Sequence, residues 1–306
     1  MHDWSSILRT MKRLDSKRRE LVAGALVESN SIRATSRLTG VAFTTVMRFV
    51  EDMGWAARMY LDEHMVNLPC QRLQVDEIWS FCYAKEKNVP EGMRRQRRLS
   101  SGCGGDTKGM VGSIWTWTAI DADTKLMPTF HVGTRDAGCA CEFMTDLAKR
   151  LRGRVQLTSD GHRAYLEAVY NAFGTVVDYA QLVKLYGTNP DPDGRYSPPK
   201  CIGARPEPKW GSPDPEHIST SYAERANLTI RMGSRRYTRL TNAFSKKCEN
   251  LEHGMALHLL HYNYVRRHTT LKTTPAVAAG IADREWTMAD LIGVLEEAEE
   301  SKIAYR

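Results

Sequence analysis

The sequence predicts an α/β chain in which an all-helical opening precedes a mixed sheet with flanking helices. Three observations carry this. Residues 1–68 show apolar residues only at helical spacing. The period changes to strand-like alternation from Gln71. Strands and helices then follow in the order β-β-β-α-β-α-β, then α. At 306 residues the chain is long enough for one large domain or two.

In the opening, residues 16–28 place Leu21, Val22, Ala25 and Leu26 at helical spacing. Ser31 reads as the N-cap of a short helix through Leu38, and Thr39-Gly40 as a turn. A third helix is expected from Ala42 to Met53, closed by Gly54. Two helices joined by a tight glycine turn suit a helix-turn-helix. Its second helix would present Thr44, Thr45 and Arg48 to a DNA major groove. An ordinary three-helix packing unit fits the same pattern. Residues 55–68 read as a further helix linking to the next domain.

Three strands follow, at 71–84, 113–120 and 126–133, as an antiparallel meander. Asp121 and Asp123 fall in its second turn. Between the first two strands, residues 86–108 form a long polar loop bearing Arg94, Arg95, Arg97 and Arg98, either a solvated tip or a basic finger on phosphates. An amphipathic helix is expected over 139–151, a strand over 154–160, a helix over 162–173 and a fifth strand over 175–185. Residues 187–219 hold eight of the twelve prolines and read as an inserted loop. Helices at 220–232 and 242–267 come next, then a small helical tail. The expected division is 1–68, a helix-turn-helix domain with its linker; 69–272, a catalytic domain; and 273–306, the tail.

The chemistry turns on carboxylates. Asp76 and Glu77 lie inside the first strand, where a charged group is costly unless paired or bound to a cation. Asp160 ends the fourth strand just before Gly161. A strand-end aspartate is most often a turn or cap residue, but strand ends of α/β sheets are also where ligand sites collect. The strand order matches the ribonuclease H-like arrangement of five mixed strands. In that topology the middle of the first strand neighbours the end of the fourth, so Asp76 and Asp160 converge. Glu224, on the helix after the fifth strand, can close the site. Three converging carboxylates repel one another unless cations lie between them. Two divalent ions about 3.5–4 Å apart would satisfy them and support phosphoryl transfer. Glu77 points away from Asp76 in a regular strand and reads as a supporting group. His253, His258 and His261 share a helix; hydrogen-bonded helix histidines account for them better than a metal trio.

The remaining composition fits this picture. Forty-three Lys and Arg against 36 Asp and Glu give a net charge of +7, a weak pointer to a polyanionic partner. The basic residues cluster, in the 94–98 block and again at Arg231, Arg235, Arg236, Arg239, Lys246 and Lys247. Seven scattered cysteines with no CxxC pair suit reduced thiols better than disulfides or a structural zinc site. No apolar run reaches the roughly 18 residues of a membrane span, and the N-terminus lacks a signal-peptide core, so a cytoplasmic, nucleoid-associated location is expected.

Three segments stand in order: Val75-Asp76-Glu77-Ile78-Trp79, Thr158-Ser159-Asp160-Gly161-His162 and Ser221-Tyr222-Ala223-Glu224-Arg225. With the 261–280 segment HYNYVRRHTTLKTTPAVAAG, they resemble bacterial insertion-sequence transposases of the DDE class over about residues 70–285. The resemblance implies Mg²⁺- or Mn²⁺-dependent strand cleavage and strand transfer, with two ions held by Asp76, Asp160 and Glu224. It implies a phosphate contact from Arg231, which is seven residues after Glu224 with Asn227 between, and a further contact from His162. It also implies double-stranded DNA partners, namely element ends and target, and a homodimer or larger synaptic complex. Some relatives carry an N-terminal zinc site, for which this chain has no ligands. A catalytically inactive DNA-binding regulator and another ribonuclease H-like nuclease are the rival readings.

Overall fold

The computed structural model describes residues 14–93, 107–187, 201–239 and 242–304. Helices α1 (Ser16–Val27), α2 (Ile32–Thr39) and α3 (Phe43–His64) open the described chain. Ser31 caps α2 as its sequence suggests, its Oγ accepting from Ala34 N at 3.1 Å. Gly40, at φ 69°, supplies the left-handed turn into α3. The expected stop at Gly54 is wrong: α3 runs unbroken for 22 residues. Gly54 serves packing instead. A Cβ there would lie 2.3 Å from the Cβ of His253, so α3 and α7 (Cys248–Leu260) touch almost backbone to backbone.

The sheet comprises β1 (Arg72–Cys82), β2 (Gly112–Asp121), β3 (Phe130–Gly133), β4 (Val155–Asp160), β5 (Val177–Tyr186) and β6 (Cys201–Trp210), in the spatial order β3-β2-β1-β4-β5-β6. β1 to β3 form the antiparallel meander, while β4 is parallel to both β1 and β5. This mixed α/β architecture is compatible with a ribonuclease H-like fold.

β6 corrects the expectation of five strands and an inserted loop. It pairs antiparallel with β5, setting Pro206 opposite Leu182 and Pro208 opposite Ala180. Two prolines two residues apart lack their N–H groups on the same side of the strand, so an edge strand with that side outward tolerates both. Residues 188–200 of the proline-rich stretch, and Arg94, Arg95, Arg97 and Arg98 of the basic loop, lie outside the described residues.

Helices α4 (Ala137–Arg150) and α5 (Ala164–Phe173) pack together on one face, where Phe143 and Tyr165 meet Trp117 of β2. Helix α6 (Ser221–Gly233) crosses the other face, its Tyr222 and Ala223 N–H groups donating to Gln74 Oε1 of β1. The helix expected over 242–267 begins at Cys248 and ends in a wide turn at His261–Val265. The tail consists of α8 (Pro275–Ala278) and α9 (Met288–Ala304).

Buried residues of α1, α3, the sheet, α7 and α9 belong to one continuous apolar cluster. Polar ties reinforce it. Arg19 of α1 pairs with Glu299 of α9, and Arg150 of α4 joins Asp146 to Asp62 of α3 while donating to Leu61 O. No described helix is long and apolar enough to cross a membrane.

Candidate active site

The β1–β4 ladder ends at the Gln74–Thr158 pair. Continuing its register by two residues sets Asp160 beside Asp76. Side chains alternate along a strand, so Gln74 and Asp76 face α6, whereas Glu77 faces α4 and α5. Beyond the last ladder pair, however, the carboxylates of all three residues reach one spot. Asp76, Glu77 and Asp160 each offer an oxygen, and these oxygens lie within 4.8 Å of one another. Asp76 and Asp160 converge as their strand positions predict, whereas Glu77 joins the cluster instead of supporting it from behind: strand alternation takes no account of the gap that opens where one strand of a pair stops.

Each carboxylate is held by named donors. Asp76 Oδ1 accepts from Glu77 N at 2.8 Å, and its Oδ2 accepts from Asn227 Nδ2 at 2.8 Å. Asp160 Oδ1 accepts from His162 N at 2.9 Å. Gln181 Nε2 donates to the Asp160 and His162 carbonyls, bracing the turn after β4. Glu77 Oε1 accepts from Arg135 Nε at 3.1 Å, and Arg135 Nη2 stands 3.8 Å from Asp160 Oδ2. The guanidinium of Arg135 lies over the Trp115 ring. Glu77 Oε2 is buried without a hydrogen-bond partner among the described residues, as is the hydroxyl of Tyr165.

The electrostatics follow from burial and crowding. Burial raises the Asp76 pKa above the usual carboxylate range, and the charges of Glu77 and Asp160 add to it. Glu77 is raised in the same way by burial and Asp160, against the pull of Arg135. Three partly desolvated acids at one point form a site that a hard cation would relieve. The donors present are all carboxylate oxygens, a set that suits hard divalent cations such as Mg²⁺, Ca²⁺ or Mn²⁺. The buried Glu77 Oε2 is an oxygen that such an ion would satisfy.

Glu224 stands apart from this cluster. It pairs with Lys184 of β5 at 2.7 Å and accepts from Thr220 Oγ1, so the carboxylate expected to close the site faces the β5 side. One turn later on the same helix, Asn227 reaches Asp76 instead. Arg231 donates to the Tyr237 carbonyl at 2.8 Å and the Trp79 carbonyl at 3.4 Å, which ties α6 to β1 rather than aiming the guanidinium into the site. The His162 ring lies within the fold, with Nδ1 at 3.7 Å from Glu77 Oε1 and the ring edge-on to Trp117. Thr44 and Arg48 are exposed on the first turns of α3, and Thr45 is half-buried. Arg235 is exposed and Arg236 half-buried just after α6.

The three histidines form no metal-ligating group among the described residues, and the hydrogen-bonded reading fails for His258, both of whose ring nitrogens are buried without a partner there. Burial lowers His258 to about 3 and His261 to about 4, keeping both rings neutral. Arg135 is the residue that the sequence reading missed. Nothing in its local pattern marks it, because it lies between β3 and α4 and meets Glu77 only through the fold.

No protein-family model matches the chain, and no curated protein matches it.

Proposed function

We propose that the chain is a metal-dependent DNA strand-cleaving and strand-transferring enzyme, a transposase of the DDE class with a ribonuclease H-like core. The observation that supports this reading best is the meeting of Asp76 and Glu77, in the middle of β1, with Asp160, where β4 stops, one buried carboxylate oxygen having no donor among the described residues. Asp76, Asp160 and Glu77 would hold Mg²⁺ or Mn²⁺. Such an ion supplies activation of the attacking oxygen and charge stabilisation at the phosphate.

The chain's own groups do the rest. Asn227 and the Glu77 N–H fix the two oxygens of Asp76, and the His162 N–H fixes one of Asp160, so neither carboxylate must reorganise as DNA arrives. Arg135 balances the surplus negative charge on the Glu77 side. Glu224 completes the set when its side chain leaves Lys184. The exposed start of α3 reads the element ends, and the basic residues after α6 and in the 94–98 block contact phosphates.

Nicking of a supercoiled plasmid that carries the DNA flanking the chain's own gene tests the reading. The wild type should nick it with Mg²⁺ or Mn²⁺ and not in EDTA. Asp76→Asn and Asp160→Asn should each lose at least about a hundredfold in rate. Glu224→Gln should also lose cutting, whereas full activity in that variant would leave Glu77 as the third acid. Undiminished cutting by Asp76→Asn would remove the carboxylate cluster as the active site.

A further inference from the structure

A groove of about 600 Å³ runs between the α2–α3 unit and the segment joining α6 to α7. Its rim carries Arg33, Arg235, Arg236 and Lys246, and no carboxylate is among the described residues that line it. None of the four cations makes an ion pair with a described residue. Arg236 is half-buried, and burial lowers its pKa. A partly desolvated guanidinium without an anion is costly, and the groove therefore asks for one from outside.

Two phenyl rings also line the groove. Phe43 is 40 % exposed at the start of α3, with Arg33 at 5.3 Å from its ring centre. Phe244 lies below Lys246 and rests on Phe81 at 4.7 Å between centres. Phosphate contacts alone would need no aromatic surface. Paired bases inside a duplex have no free face to offer one, but an unstacked base does. Phe81 is five residues beyond Asp76 on β1, about 17 Å along an extended strand, or about five base-pair steps of duplex.

We infer that this groove binds single-stranded DNA, seating an unpaired base against Phe43 or Phe244 while Arg33, Arg236 and Lys246 hold the flanking phosphates. The inference deepens the proposed function and rests on it for the identity of the DNA, since a strand cut at the carboxylates would run on to the groove when its end frays.

Fluorescence anisotropy of a labelled 12-nucleotide oligo-dT, with the full chain in EDTA, tests this without any contribution from strand cutting. Phe43→Ala and Phe244→Ala should each weaken oligo-dT binding roughly 5- to 150-fold, and should weaken binding of a blunt mixed-sequence duplex by a much smaller factor. Arg33→Ala with Lys246→Ala should reduce the slope of log affinity against log salt by about 1.4. Phe244 supports Phe81, so if its variant melts early the exposed Phe43→Ala carries the test alone. Wild-type oligo-dT affinity in Phe43→Ala, or equal losses for oligo-dT and duplex, would overturn the inference. Because the readout is binding in EDTA, neither result depends on the outcome of the plasmid-nicking assay.

Discussion

Asn227 donates to Asp76 Oδ2 at 2.8 Å, yet its own Oδ1 is buried without a donor among the described residues. A buried acceptor left unpaired costs free energy, so this amide is held for its contact with Asp76 rather than for stability. Groups that orient metal-binding carboxylates typically change affinity by about 10- to 100-fold when removed. Asn227→Ala should therefore weaken Mn²⁺ binding by about that factor while leaving the melting temperature close to wild type. A drop in melting temperature with unchanged Mn²⁺ affinity would make Asn227 a packing residue instead. Asp76 and Asp160 were legible in the sequence because each combines a carboxylate with a readable strand position. Glu77 was legible as a residue but not as a member of the cluster. Glu224 is held by Lys184 of β5, a pairing that no pattern in the chain records.

At the scale of elements, most strands and helices follow from apolar period and caps, as with Ser31 ahead of α2. The failures share a cause. Gly54 and the prolines of β6 look like breaks in a one-dimensional pattern, but each is explained by what lies beside it in space. Gly54 admits His253 of α7, and Pro206 and Pro208 turn a bare edge outward. Gly54→Ala tests the first case. Its Cβ would meet backbone and Cβ atoms of His253 at 2.3–2.7 Å, which no rotamer change relieves. Overpacking of this kind costs about 1–3 kcal/mol, visible as a shift in the urea midpoint. An unchanged midpoint would mean that α3 and α7 separate at no cost.

The whole molecule is bound together by α7, whose buried face touches the opening helices and the sheet. Its histidines make that union sensitive to acid. Folding lowers His258 to about 3 and His261 to about 4 from an ordinary value near 6.5. The unfolded chain therefore binds protons on these rings that the folded chain does not. The stability they contribute is present above about pH 6.5 and is lost as the pH falls toward 4 and 3. Between pH 7 and pH 5 each histidine should remove about 2 kcal/mol. Denaturant melts of the wild type and of His258→Phe check this, since the variant should lose less stability over that interval. Equal losses in both would assign the acid sensitivity elsewhere.

The account depends most on the carboxylate cluster being a divalent-cation site. Titration of Mn²⁺ into the full chain, followed by calorimetry without DNA, measures this directly. The wild type should bind Mn²⁺ at the cluster, Asp76→Asn and Asp160→Asn should abolish that heat, and Glu77→Gln should weaken it at least tenfold. Mn²⁺ binding of equal strength in the wild type and in Asp76→Asn would contradict the account.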